Sequence, residues 1–237
     1  SQGGVLHLRR SGGVSGSLHQ GTLPESGCFP AVALRNERRI RICVAYTTRR
    51  STGITGLDLA LEGGFPPGSR IVIFGSPLSG LELLAEQFWE VEDRTGAYLM
   101  LDTMPGEGMV DARGMDPATL AGSMQGDRIV VDSLSTVILE WGIDAAAGLV
   151  LEDTRDIIGR GANIVYLLYT GLHGPAEEAR VMRAADVFIT LRHQIHGNEF
   201  ERMLSIEKFR GEDVPRRVIP YYIIAKGLEL STTSRVV

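Results

Sequence analysis

Residues 51–82 read STGITGLDLALEGGFPPGSRIVIFGSPLSGLE, and the succession of residue types in that stretch decides the fold. Thr55-Gly56-Leu57-Asp58 opens a short helix, Gly63 and Gly64 stop it, and Pro66-Pro67-Gly68 makes a turn. Ile71-Val72-Ile73-Phe74 is a continuous apolar run bounded by turn residues, the pattern of a strand buried on both faces. A helix is expected from Gly80 to about Arg94, with Leu81, Leu84, Phe88 and Val91 at helical spacing on its inner face.

The same alternation continues outward. Buried strands are expected at 97–101 (AYLML), 128–131 (RIVV, ending in Asp132), 162–169 (ANIVYLLY) and 187–191 (VFITL), and helices at 144–160 and from Pro175 to Ala185. After that the pattern changes to antiparallel pieces at 202–209 and 218–224, with Gly197-Asn198 as a turn before the first. Residues 39–47 (RIRICVAYT) alternate like an edge strand. Strands alternating with helices imply an α/β fold: a mostly parallel central sheet with helices on both faces, extended by C-terminal antiparallel edge strands. Sites in such sheets lie at the carboxyl ends of the strands, which puts Gly75, Asp102, Asp132 and Thr170 along one rim.

Gly75-Ser76-Pro77-Leu78-Ser79-Gly80-Leu81-Glu82 lies between a buried strand and a helix, the setting of the phosphate-binding loop GxxxxGK[ST]. Both glycines are in register. The lysine position holds Leu81, and the position whose hydroxyl would ligate Mg²⁺ holds Glu82. At an effective dielectric near 20, one unit pair at about 4 Å is worth ~4 kcal/mol, and here a cation is lost while an anion is gained. The helix dipole, worth roughly 0.3–1 kcal/mol, does not offset that. Glu82 reads most simply as a first-turn acid stabilising its helix, against a metal-binding or general-base role. The chain has two lysines, Lys208 and Lys226, neither near the loop, and Arg70 begins the strand whose far end carries the loop.

The stretch at 51–77 resembles the opening of KaiC-like ATPases of the RecA superfamily. Arg128-Ile-Val-Val-Asp132-Ser133-Leu134-Ser135 is similar to that family's Walker B strand, and Lys208-Phe209-Arg210-Gly211 to its KxRG motif. Ala184-Ala185-Asp186-Val187-Phe188 and Tyr222-Ile-Ile-Ala-Lys226-Gly227-Leu228 also fit, so the resemblance runs over about residues 51–231. It implies a RecA-like P-loop fold over 51–237, after an extension at 1–50. It also implies that Asp132 helps hold Mg²⁺, that Asp102 stands where a pair of acids polarises the attacking water, and that Lys208 and Arg210 reach across a subunit interface. The bland alternatives are a strand-end carboxylate for Asp132, a turn-capping residue for Asp102 and a solvated hairpin pair for Lys208 and Arg210.

Residues 1–50 hold eight arginines against two acids, a charge of +6, while the remainder carries −11, giving −5 overall. The acidic body argues against broad contact with a nucleic-acid backbone, and the basic arm reads as a Gly/Ser-rich, poorly ordered extension. No run of about 18 apolar residues is evident and no signal-type apolar core opens the chain, so a cytoplasmic protein without membrane contact is expected. Cys28 and Cys43 are read as reduced thiols. His193 and His196, three apart, do not share a face of a strand, and no metal site is expected. Ser133 and Ser135 lack the setting of a hydrolase nucleophile, and the sequence places no histidine beside them. Trp89 and Trp141 are read as core or half-buried packing residues.

The leading reading is therefore a regulatory or assembly subunit with a degenerate, non-hydrolysing site and no bound cofactor. It would associate with itself or with an active KaiC-like ATPase and lend Lys208 and Arg210 to its neighbour. An alternative is an ATP- and Mg²⁺-binding protein with weak or switch-like activity. A third is nucleic-acid binding through the basic arm.

Overall fold

The computed structural model describes residues 49–91, 96–197, 199–215 and 217–231. The strand expected at 39–47 and the arm that contains it lie outside these residues, as does Asn198. In chain order the elements are α1 (Thr55–Ala60), β1 (Arg70–Gly75), α2 (Leu81–Glu90), β2 (Tyr98–Met100), β3 (Val110–Asp111), α3 (Pro117–Ser123) and β4 (Arg128–Asp132). There follow α4 (Leu134–Gly148), a π-helical turn (Leu149–Asp153), α5 (Arg155–Gly159), β5 (Asn163–Tyr169), α6 (Pro175–Ala184) and β6 (Val187–His196). The chain then makes β7 (Glu199–Phe209), β8 (Ile219–Ile224) and β9 (Gly227–Leu230). Among the described residues these strands form one sheet in the order β3-β2-β4-β5-β1-β6-β7-β8-β9. The pairs from β3 to β6 are parallel and those from β6 to β9 antiparallel.

The apolar runs dictate the layers. β4 and β5 are buried at every residue, as strands covered on both faces must be. Ile71 and Ile73 of β1 join Leu57, Leu81, Leu84 and Phe88 in a core under α1 and α2. Val72, one residue out of phase, joins Leu134, Val137, Leu149, Ile157 and Val181 in a second core under α4 to α6.

The helix expected at 144–160 differs. It begins ten residues earlier, at Leu134, where the Ser133 hydroxyl accepts the Thr136 N–H as an N-cap. It is broken at Gly142 (φ 84°, ψ 163°) and passes through the π-helical turn before α5. Gly142 interrupts the apolar period, which hides the first half of the helix from a periodicity argument. Taken as one run, 134–159 is long and apolar enough by composition to cross a membrane, contrary to the reading that no such run exists. Its Leu134, Val137, Ile138, Leu149 and Val150 are packed in the second core. α3 was also not anticipated, although Asp116 caps it through the N–H groups of Ala118 and Thr119 and Pro117 opens it.

Candidate functional site

The loop after β1 has the backbone shape its glycines predict. Gly80 sits at φ 78°, a left-handed conformation, and caps α2. Ser79 closes the loop on itself, its N–H and hydroxyl both donating to the Ser76 carbonyl (3.0 and 2.6 Å). Tyr221 of β8 donates to the Ser79 carbonyl from outside (2.8 Å). The Gln87 amide of α2 grips both backbone groups of Leu228, accepting at 2.6 Å and donating at 3.2 Å. A Cβ on Gly227 (φ 116°) would sit 2.5 Å from Gln87, so this grip requires a glycine there. Pro77 and Leu78 are the exposed residues of the loop, whereas Leu81 is fully buried in the first core. The side chain at the lysine position is thus part of the hydrophobic interior and does not face the loop's opening.

Glu82 and Asp132 are brought together by tyrosines that the sequence reading did not single out. Tyr169, at the end of β5, donates to Glu82 Oε1 (2.7 Å) and lies 3.5 Å from Asp132 Oδ1. Tyr98 of β2 donates to Asp132 Oδ2 (2.9 Å). Asp132 is 3% exposed, and burial, reinforced by the charges of Asp102 and Glu82, pushes its carboxyl up to about 7 against the counteracting tyrosine hydrogen bonds. Burial and the Asp132 charge raise both phenols well above the usual tyrosine range. The strand-end carboxylate therefore accepts phenol O–H groups.

Asp102 is exposed at the end of β2 and accepts the hydroxyls of Ser133 (2.9 Å) and Thr136. Both donors are on the first turn of α4, which ties Asp102 to that helix start. Ser135 does have a histidine beside it: His173 Nε2 lies 2.9 Å from the Ser135 hydroxyl, which also accepts the Tyr169 N–H (2.9 Å). Ser135 is 1% exposed, so the pair is a packing contact closed to a substrate. Thr170 joins the rim by donating its N–H to Gly75 (2.9 Å). A cleft of about 430 Å³ opens beside the loop, lined by Ser76, Thr170, Arg192, His193, Gln194 and Met203 among others. Trp89 is core, but Trp141 stands exposed on α4.

Lys208 and Arg210 lie at the other end of the sheet. Phe209 pairs with Val187, the first residue of β6, so both cations belong to the amino-terminal rim of the parallel strands. The two are held differently. Lys208 Nζ donates to the carbonyls of Met182 and Arg183 at the end of α6 (3.0 and 2.9 Å), and burial lowers its pKa. Arg210 pairs with Asp186 (3.0 Å), which also holds Arg70, yet its side chain is 74% exposed. A shallow cleft lined by Pro66, Ser69, Asp186, Phe209 and Arg210 adjoins them. Neither cation can reach the loop of its own chain. Among the described residues no group of three or more His, Cys, Asp and Glu side chains is arranged to hold a metal ion.

Comparison with known proteins bears on the fold and on residues 118–235. The family model described as "ATPase: KaiC" matches residues 118–235, a span that includes β4, Lys208 and Arg210 but begins beyond the 75–82 loop. The fold is similar to that of a KaiC-like protein from the hyperthermophilic archaeon Pyrococcus horikoshii OT3, with a TM-score of 0.65 and 19% identity over 78% of this chain and 100% of that one. No curated protein matches.

Proposed function

Because the chain belongs to the KaiC-like family of RecA-superfamily P-loop ATPases, we propose that it is a member whose own site is silent and which acts as a regulatory or assembly subunit. The observation that carries the reading is the filling of the site from within. The lysine position is a core leucine, and the two carboxylates nearest the metal position, Glu82 and Asp132, are engaged by Tyr169 and Tyr98. Mg²⁺ settling there would compete with two phenol hydrogen bonds and would require a buried acid to ionise without help from a lysine.

The preserved part points outward. Arg210 is exposed at the rim opposite the loop, so it serves a phosphate only if a neighbouring subunit brings its loop to that rim, a head-to-tail contact. The partner is a second copy or an active KaiC-like ATPase; only the latter has a site to complete.

The test is titration calorimetry with ATP, with and without Mg²⁺, beside a hydrolysis assay. No saturable ATP–Mg²⁺ binding and no turnover is expected, and a dissociation constant below about 0.1 mM, some 5–6 kcal/mol of binding, overturns the silent site. The trans role is tested by adding the chain to an active relative and measuring hydrolysis, with Lys208→Ala and Arg210→Ala as controls. Absent stimulation, or stimulation that both variants retain, removes that role.

A further inference from the structure

We infer that the corner formed by Ser76, His193 and Arg202 binds a phosphate group without magnesium. The corner lies on the β6–β7 side of the loop, away from the Leu81–Glu82 position, and it takes up what a silent site leaves open.

His193 and Arg202 are cross-strand partners on β6 and β7, so their side chains leave the sheet on one face. That face is the α2 side, because Leu191 and Leu204, each two residues away, belong to the core under α1 and α2. His193 Nδ1 lies 3.2 Å from the Ser76 hydroxyl, which fastens the pair to the loop. Arg202 is partly buried, its guanidinium carbon 5.9 Å from the centre of the Phe200 ring. Its charge reaches the Tyr221 hydroxyl that holds Ser79, where it opposes the rise that burial imposes on that phenol.

Arg202 has no carboxylate partner among the described residues, and its buried Nε makes no hydrogen bond there. The contrast with its neighbours is clear: Arg192 is held by Glu207, and Arg210 and Arg70 by Asp186. Glu201, opposite Gln194, emerges on the other face of β7. A buried Nε without a partner is costly, and the planar fork of the guanidinium matches a phosphate oxygen pair. With the Ser76 hydroxyl and the imidazole alongside, the corner offers three kinds of donor to one tetrahedral anion. Glu82 and Asp132 take no part, so no metal is needed to screen them.

The experiment is phosphorus NMR or calorimetry in EDTA, with inorganic phosphate and adenosine monophosphate as separate probes. Saturable binding of at least one probe is expected. Arg202→Met and His193→Gln should each weaken it roughly ten- to hundredfold, as losing a charge-assisted hydrogen bond does. Arg160→Gln, an exposed cation beyond α5, should leave it unchanged. Binding of free phosphate assigns the ligand to the ion itself. Binding of the monophosphate alone assigns it to an ester-borne group. No binding of either probe, or equal weakening by Arg160→Gln and Arg202→Met, overturns the assignment. Because the assay excludes magnesium and triphosphate, its failure leaves the silent-site reading standing, and ATP–Mg²⁺ binding in the earlier test leaves this one standing.

Discussion

The two rims of the sheet treat their charged residues in opposite ways. At the carboxyl rim, Asp132 is almost fully buried and satisfied by phenols, and Leu81 is given over to the core. At the amino rim, Arg210 is paired with Asp186 yet still projects to solvent. The first arrangement is satisfied by bonds within the chain. The second is complete as it stands and still able to meet a partner.

That contrast can be broken first at Leu81. Leu81→Lys places a charge in the first core and should cost about 3–5 kcal/mol in urea denaturation, with no ATP binding gained. An unchanged midpoint would mean that position 81 faces the loop's opening, and the rims would no longer differ. Asp132→Asn should have a somewhat smaller effect of opposite sign. The Asp132 carboxyl is raised from its ordinary value near 4 to about 7, so the native state holds the proton more tightly than the unfolded chain does. Stability therefore falls as pH rises between those values, and above pH 7 the full cost of ionising the buried acid is present. The variant should be more stable than the wild type by a few kcal/mol at pH 8 and little different at pH 4 in thermal unfolding. A difference independent of pH would show that Asp132 titrates normally. The smallest effect is expected at the amino rim: Arg210→Ala should change stability by less than about 1 kcal/mol, as exposed ion pairs do, while abolishing any stimulation of an active relative.

Much of the architecture was legible in the residues. β1, β4 and β5 announce themselves as continuous apolar runs, and the glycines at 75 and 80 place the loop. The late antiparallel strands follow from the change of pattern after 191. The interior of the site was not legible, because its contacts join residues far apart in the chain. Tyr98 meets Asp132 across 34 positions and Tyr169 meets Glu82 across 87. In sequence both tyrosines pass for ordinary members of buried strands, and only the sheet order turns their hydroxyls into partners of acids. Ser135 and His173 were missed as neighbours for the same reason. Arg202 was hidden differently: nothing in a sequence reveals that an arginine has no acid beside it among the described residues. The two-residue β3 is too short to show any period.

The grip of Gln87 on Leu228 and of Tyr221 on Ser79 carries a consequence for how the protein is made. The loop and the helix behind it receive their outer supports from residues added some 140 positions later. On the ribosome, β1 and α2 emerge long before β8 and β9, so the loop waits unbraced until those strands are made. Its final shape is among the last features of the domain to be set.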